Sequence, residues 1–206
     1  MLSDKFKNLS FLIYGLGITG KSVINFFNKN NIKNYKVWDD YDNLSYKTKR
    51  PSDLSKTLKM VNYIIISPGI SLLNSKNKQL KKYKNKLITD IDIIFLLKKN
   101  FKSILVTGTN GKSTTCKIIS HILKERGFKT YLGGNIGTPI LNLKIKQNSF
   151  LIIEASSFQL AYSKFISPDY ALLLNITNDH LDWHGSFRNY LNSKMRIFKN
   201  QKKNQF

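Results

Sequence analysis

SILVTGTNGKST, residues 103–114, is an apolar run that passes into a glycine-rich loop and then into a helical pattern. Ser103–Thr107 reads as a buried strand and Lys112–Arg126 as a helix, with the turn between them at the carboxyl end of the strand. Backbone N–H groups of Gly108, Thr109, Asn110 and Gly111 can wrap phosphate oxygens there. The Lys112 ammonium can meet the β and γ phosphates, and the Ser113 hydroxyl, beside Thr114, can reach Mg²⁺. The usual spacing G-x-x-x-x-G-K would need glycine at 106, where Val106 stands. The loop is therefore a shortened variant, which speaks against ordinary kinases and GTPases.

The same device opens the chain. Phe11–Tyr14 leads into Gly15, Gly17 and Gly20, the pattern G-x-G-x-x-G, and a helix is predicted over Thr19–Asn30. Asp39 and Asp40 follow a second strand, Tyr35–Trp38, where a dinucleotide fold places its ribose-binding acid. Such a loop reads diphosphate better than it reads NAD, and a nucleotide sugar satisfies it equally. SPGI, Ser67–Ile70, follows the run Val61–Ile66 and belongs at the same sheet edge. Further strands are expected at Phe150–Ile153 and Tyr170–Leu174, and a helix over Ser186–Asn200. Strands alternating with helices predict parallel α/β architecture. Two glycine loops predict two domains, 1–99 and 100–206, divided in the Lys-rich stretch Lys98–Lys102. The second is expected to hold three strands and to stop unfinished.

The chain has 206 residues, 34 Lys+Arg against 12 Asp+Glu, and a net charge of +22. That excess attracts polyanions. However, the lysines are spread through the chain without an aromatic-interleaved basic stripe, so no specific nucleic-acid partner is expected. The lone cysteine, Cys116, excludes an internal disulfide and a Cys-only metal site. No signal peptide is visible in MLSDKFKNLS. IDIIFLL (91–97) and YALLLNI (170–176) are too short to span a bilayer, so no membrane insertion and a cytoplasmic location are expected.

Glu154 ends the run Phe150–Ile153 and should emerge beside the phosphate loop, positioned for Mg²⁺. NDHLDWHG carries Asp179, His180, Asp182 and His184. Read alone, H-x-D-x-H could be a transition-metal site or a solvated loop. His121 is given a structural place. Lys194 lies in NYLNSKMRIF, where Tyr190, Ile197 and Phe198 at helical spacing predict an inward face, and one lysine among many carries no signal by itself.

Taken together, GLGITGKS, SPGI, TGTNGKST, GGNIGTP, EASSFQL, NITNDHLDWHG and Y-x-x-x-K-x-R-I strongly resemble, in family order, the Mur ligases of peptidoglycan synthesis. GKST with GGNIG and SSFQL is similar to the D-glutamate-adding branch. Other branches tend to carry GKTT, and the folate-type ligases GKGS. The resemblance covers essentially the whole chain. It implies a Rossmann-like N-terminal domain followed by part of a P-loop central domain. It also implies an ATP-dependent carboxylate–amine ligation, as part of a longer chain, that joins D-glutamate to UDP-N-acetylmuramoyl-L-alanine through an acyl phosphate.

Carried over residue by residue, the resemblance places Gly17, Ile18 and Thr19 near the diphosphate and Asp39 towards the uridine, with Ser67 and Gly69 lining that pocket. Asn135 and Ser156 would contact the muramoyl-alanine portion. Lys112, Ser113 and Thr114 would hold ATP and Mg²⁺, and Glu154 and His180 would be metal ligands at two sites. Lys194 would be a carbamylated lysine, N-carboxylysine, completing the metal set. The family often has Thr-Arg after the uridine-side Asp; Asp40 and Tyr41 stand there instead. The resemblance further implies a monomer, and a fragment inactive alone. Rival readings are an NAD-binding oxidoreductase module, another P-loop enzyme, or a basic nucleic-acid-binding module.

Overall fold

The computed structural model describes residues 4–41, 46–97 and 100–206. Lys98 and Lys99, two of the five residues in the stretch expected to divide the chain, lie outside the described residues. The elements run α1 (Asp4–Lys7), β1 (Phe11–Tyr14), α2 (Ile18–Lys29), β2 (Tyr35–Trp38), α3 (Leu54–Met60), β3 (Tyr63–Ile66), α4 (Lys78–Lys82), β4 (Leu87–Ile88) and α5 (Asp90–Leu96). They continue as β5 (Lys102–Thr107), α6 (Lys112–Glu125), β6 (Thr130–Gly134), β7 (Phe150–Glu154), α7 (Ser157–Tyr162), β8 (Tyr170–Leu173), α8 (Leu181–His184) and α9 (Phe187–Met195).

Both sheets are parallel and four-stranded, in the orders β2-β1-β3-β4 and β6-β7-β5-β8. β1 and β5 each sit inside their sheet, so FLIY and ILVT are buried on both faces, as a parallel interior strand requires. Each then delivers its glycine loop to the carboxyl edge. The second sheet has four strands rather than the three expected. TYLGG at 130–134 escaped the sequence reading because its two glycines mask the strand pattern. Gly134 has φ +114°, and a side chain there would strike the Glu154 backbone, so the close approach of β6 to β7 needs glycine.

Two elements depart from their expected bounds by more than one residue. Val61 caps α3, and β3 begins at Tyr63. IDIIFLL falls in helix α5 and its following turn. The predicted helix 186–200 is shorter: Ser186 is its N-cap, accepting from Asn189 N, and residues 196–198 tighten into a 3₁₀ turn. That change of pitch turns Phe198 outward (36% exposed) while Tyr190 and Ile197 remain buried, so the predicted inward face stops one residue early. His121 is exposed on α6 rather than packed.

One hydrophobic cluster spans both sheets, joining Phe11 and Ile13 of the first, with Phe27 of α2, to Leu151 and Ile153 of the second through Ile93, Ile140 and Leu141. Each such fully buried side chain stabilises by about 1.5–3 kcal/mol. The polar seam beside this core is held by Asp92, fully buried at the start of α5. One carboxylate oxygen accepts from Thr89 N (2.8 Å) within the capping box. The other accepts from Lys164 N (2.9 Å) and Phe165 N (2.7 Å), just after α7. The Tyr162 hydroxyl adds a second tie, donating to Ile70 O (2.9 Å) and accepting from Leu72 N (3.1 Å). The two carboxyl edges are thereby fixed relative to each other.

Candidate active site

At the first loop, Gly15 has φ +98°, and any side chain there would meet Ser67. The Ser67 hydroxyl donates to Gly15 O (3.0 Å), tying SPGI to the glycine loop. Asp39 accepts from Leu16 N (2.6 Å) and Tyr41 N (2.8 Å), so its carboxylate braces the loop that it was expected to face across a ligand. Gly17 caps α2 without any side-chain hydrogen bond, and Gly17 and Gly69 face open space. Ile18 is 78% exposed and Thr19 half-buried beside them. An uncapped twelve-residue helix aimed at open space is a ready anion site. Asp40, which stands where Thr was expected, accepts from Trp38 Nε1 (2.8 Å) and Tyr14 Oη (3.1 Å).

At the second loop, Gly111 adopts φ +82° and begins α6 with no side-chain cap, leaving its first N–H groups for a phosphate. The loop is clasped from β8. Thr109 N donates to Asn175 O (3.0 Å), Asn110 N to Asn175 Oδ1 (2.9 Å), and Asn175 Nδ2 returns a bond to Asn110 O (3.1 Å). Thr109 Oγ1 also lies 2.7 Å from Tyr190 Oη. Asn175 and Tyr190 were missed as site residues although they stand in the motifs NITNDHLDWHG and Y-x-x-x-K-x-R-I; only the fold brings them to the loop.

Two lysines meet on one carbonyl. Lys112 Nζ donates to Gly108 O (2.9 Å) and Thr109 O (2.7 Å), and Lys194 Nζ donates to the same Gly108 O (2.7 Å). Lys194 is buried and lies over the Tyr190 ring (4.7 Å). Burial, then the Lys112 charge, lower its pKa to about 8, against a smaller opposing effect of Asp179.

Glu154 is buried at the end of β7, accepting from Ser113 Oγ (2.7 Å) and Asn135 Nδ2 (3.0 Å), and no ion pair neutralises it among the described residues. Ser156 caps α7 in a capping box with Gln159. His180 takes the left-handed conformation (φ 52°) and holds Nε2 3.4 Å from Asp179. A small cavity of about 90 Å³ gathers Gly108, Lys112, Asn135, Ser156, Asp179, His180 and Lys194. A larger crevice of about 480 Å³ lies at the opposite, amino edge of the second sheet. Its one carboxylate, Asp169, is already taken by Ser103 and Lys102, so the chemistry belongs to the smaller cavity.

Ser113 and Glu154 are hard oxygen donors at hydrogen-bonding distance, a pair suited to Mg²⁺. Among the described residues no three of His, Cys, Asp and Glu gather as a metal site, so H-x-D-x-H does not form one. His184 is turned away and buried against Ser157.

Residues 106–206 match the family model described as "Mur ligase middle domain", and residues 9–89 match "Mur ligase MurD-like, N-terminal domain". The chain belongs to the Mur ligase family. Among curated Mur ligases, the UDP-N-acetylmuramoylalanine–D-glutamate ligase of Wolbachia pipientis wMel is 37% identical over 206 residues, covering 96% of this chain and 40% of that protein. The ligase of the same name from Natranaerobius thermophilus is 32% identical, covering 100% and 48%. That of Rickettsia felis is 43% identical over 69% of this chain and 32% of its own. The chain thus spans less than half the length of these relatives. A solved Mur ligase from Neisseria meningitides, described as UDP-N-acetylmuramate:L-alanyl-gamma-D-glutamyl-meso-diaminopimelate ligase, matches at TM-score 0.53 and 16% identity, over 96% of this chain and 69% of that one. This last likeness concerns the fold alone. No described helix is long and apolar enough to cross a membrane.

Proposed function

We propose that this chain is the substrate- and nucleotide-binding portion of an ATP-dependent ligase that joins D-glutamate to UDP-N-acetylmuramoyl-L-alanine. The reading rests above all on one observation: Lys112, Asn135, Ser156, His180 and Lys194 line one cavity beside Glu154, at the phosphate loop. Residues 1–99 would hold the UDP end, with the diphosphate at Gly17, Ile18 and Thr19, and Asp39, Ser67 and Gly69 around it. Residues 100–206 would hold ATP on Gly108–Thr114. The proposal places the protein in the cytoplasm, as a monomer, without a nucleic-acid partner.

In the first step the alanyl carboxylate oxygen attacks the γ-phosphorus and ADP leaves, giving an acyl phosphate. The amine of D-glutamate then attacks the acyl carbon, phosphate leaves, and the amine loses a proton. Two anions must meet first, so charge neutralisation carries the catalysis. Lys112, now resting on Gly108 O and Thr109 O, would exchange those carbonyls for phosphate oxygens. Asn135 and Ser156 would orient the acyl end. Mg²⁺ held by Ser113 and Glu154, with a second ion near His180, would supply further positive charge when bound. Lys194, whose pKa of about 8 leaves part of it a neutral amine, could take up CO₂ and present a carboxylate-type oxygen there. A rival NAD-binding reading leaves the lysine pair and Glu154 without a task.

The test is isothermal titration with UDP-N-acetylmuramoyl-L-alanine and, separately, with an ATP analogue and Mg²⁺. Saturable binding of both is expected; binding of neither would overturn the proposal. No residue of this chain is assigned to D-glutamate. Ligation by these residues alone is therefore not expected, and D-glutamate-dependent phosphate release from the 206-residue chain would contradict that assignment.

A further inference from the structure

His184 lies behind the cavity wall, outside the machinery described so far. It is 5% exposed and enclosed by the rings of Phe158 (5.8 Å, stacked), Trp183 (4.6 Å) and Tyr190 (5.3 Å, edge-on). Nε2 lies 3.0 Å from Ser157 Oγ, and Nδ1 lies 3.5 Å from Ser193 Oγ. The Ser193 hydroxyl spends its proton on Asn189 O (2.7 Å), so towards His184 it can only accept. Nδ1 must then carry the imidazole proton. That leaves Nε2 bare, and the buried Ser157 hydroxyl donates to it. Burial lowers the His184 pKa to about 4, with His180 and Lys194 adding to the effect, so the ring is neutral.

We propose that His184, fixed as the neutral Nδ1–H tautomer, is a positioning residue for the phosphate site. It holds the first turn of α7 through Ser157 and braces the Tyr190 ring from its edge. Tyr190 passes that restraint on in two directions, to the phosphate loop through the 2.7 Å contact with Thr109 and to Lys194 above its face. A histidine is required because phenylalanine would fill the space but strand a buried Ser157 hydroxyl, and a stranded buried donor costs about 1–3 kcal/mol. The functional half of this inference rests on the nucleotide-binding reading; the tautomer does not.

Long-range ¹H–¹⁵N NMR of the chain labelled at its three histidines reads the tautomer directly. The account predicts one buried ring protonated at Nδ1 alone at neutral pH and lost in His184→Phe. A ring protonated at Nε2, or at both nitrogens, overturns it. Titration with ATP analogue and Mg²⁺ then tests the positioning. His184→Phe is expected to weaken binding roughly tenfold. Ser157→Ala, which cuts the same tie, should weaken binding by a similar factor, and His184→Phe with Ser157→Ala should lose no more than either variant alone. Undiminished binding in His184→Phe, or additive loss in the double variant, overturns the positioning role. Were the wild type to bind no nucleotide, the proposed function would fail and the positioning role with it, while the NMR result would still decide the tautomer.

Discussion

Lys112 and Lys194 share the Gly108 carbonyl, yet only one of them was legible in the sequence. Lys112 announces itself by standing in GTNGKST between a strand and a helix. Lys194 is one of many lysines, and its place at the loop depends on α9 packing against α7, which no local pattern encodes; only the family resemblance marked it. Replacement of Lys112 by alanine should reduce ATP-analogue affinity by on the order of a hundredfold, read by titration calorimetry, with little change in melting temperature, because it removes a preorganised charge rather than a packed core group. For Lys194 the lowered pKa sets the sign. Its folded state releases a proton more readily than the unfolded chain, so its ionisation penalises folding below about 8, and stability rises as pH climbs from there towards the ordinary 10.5. The neutral amine is also the form that reacts with CO₂. A carbamate resonance in ¹³C-bicarbonate NMR is therefore expected to grow as pH rises through about 8 and to vanish in Lys194→Gln. Its absence on both sides of that pH would remove Lys194 from the proposed metal set.

At the scale of elements, the interior strands β1, β3, β5 and β7 could be read because continuous apolar runs bounded by glycine or polar turns have few alternatives. Two others could not. β4 is only Leu87–Ile88, and β6 is interrupted by the glycines that its approach to Glu154 demands. The capping box that starts α5 was also passed over, although Thr89 and Asp92 are correctly spaced for it. That helix end carries the junction. Asp92→Ala would leave Lys164 N, Phe165 N and Thr89 N without their acceptor, and a loss of about 2–4 kcal/mol in urea unfolding is expected. Burial raises Asp90 and Asp92 from 3.8 to about 6. The folded state therefore binds these protons more tightly than the unfolded one. Their stabilising contribution is full below 3.8 and is lost as pH rises through about 6. Asp92→Asn should flatten the pH dependence of stability across that window, and an unchanged slope would show that Asp92 does not titrate there.

Across the whole molecule, two glycine-loop sheets present their carboxyl edges under a common core and a sealed polar seam. The two-sheet arrangement followed from the repeated strand–loop–helix pattern; the shared core did not, because Ile140 and Leu141 lie in a short 3₁₀ turn with no periodicity to read. The seam gives the two loops a fixed relation, which would suit the proposed substrate reaching from one to the other. The central claim is that the first loop serves a UDP-linked substrate rather than a dinucleotide. Parallel calorimetric titrations of the chain with UDP-N-acetylmuramoyl-L-alanine and with NAD test it most directly. Tighter binding of the UDP-linked compound, weakened when its alanyl carboxylate is amidated, is the predicted result; tighter binding of NAD would contradict the account.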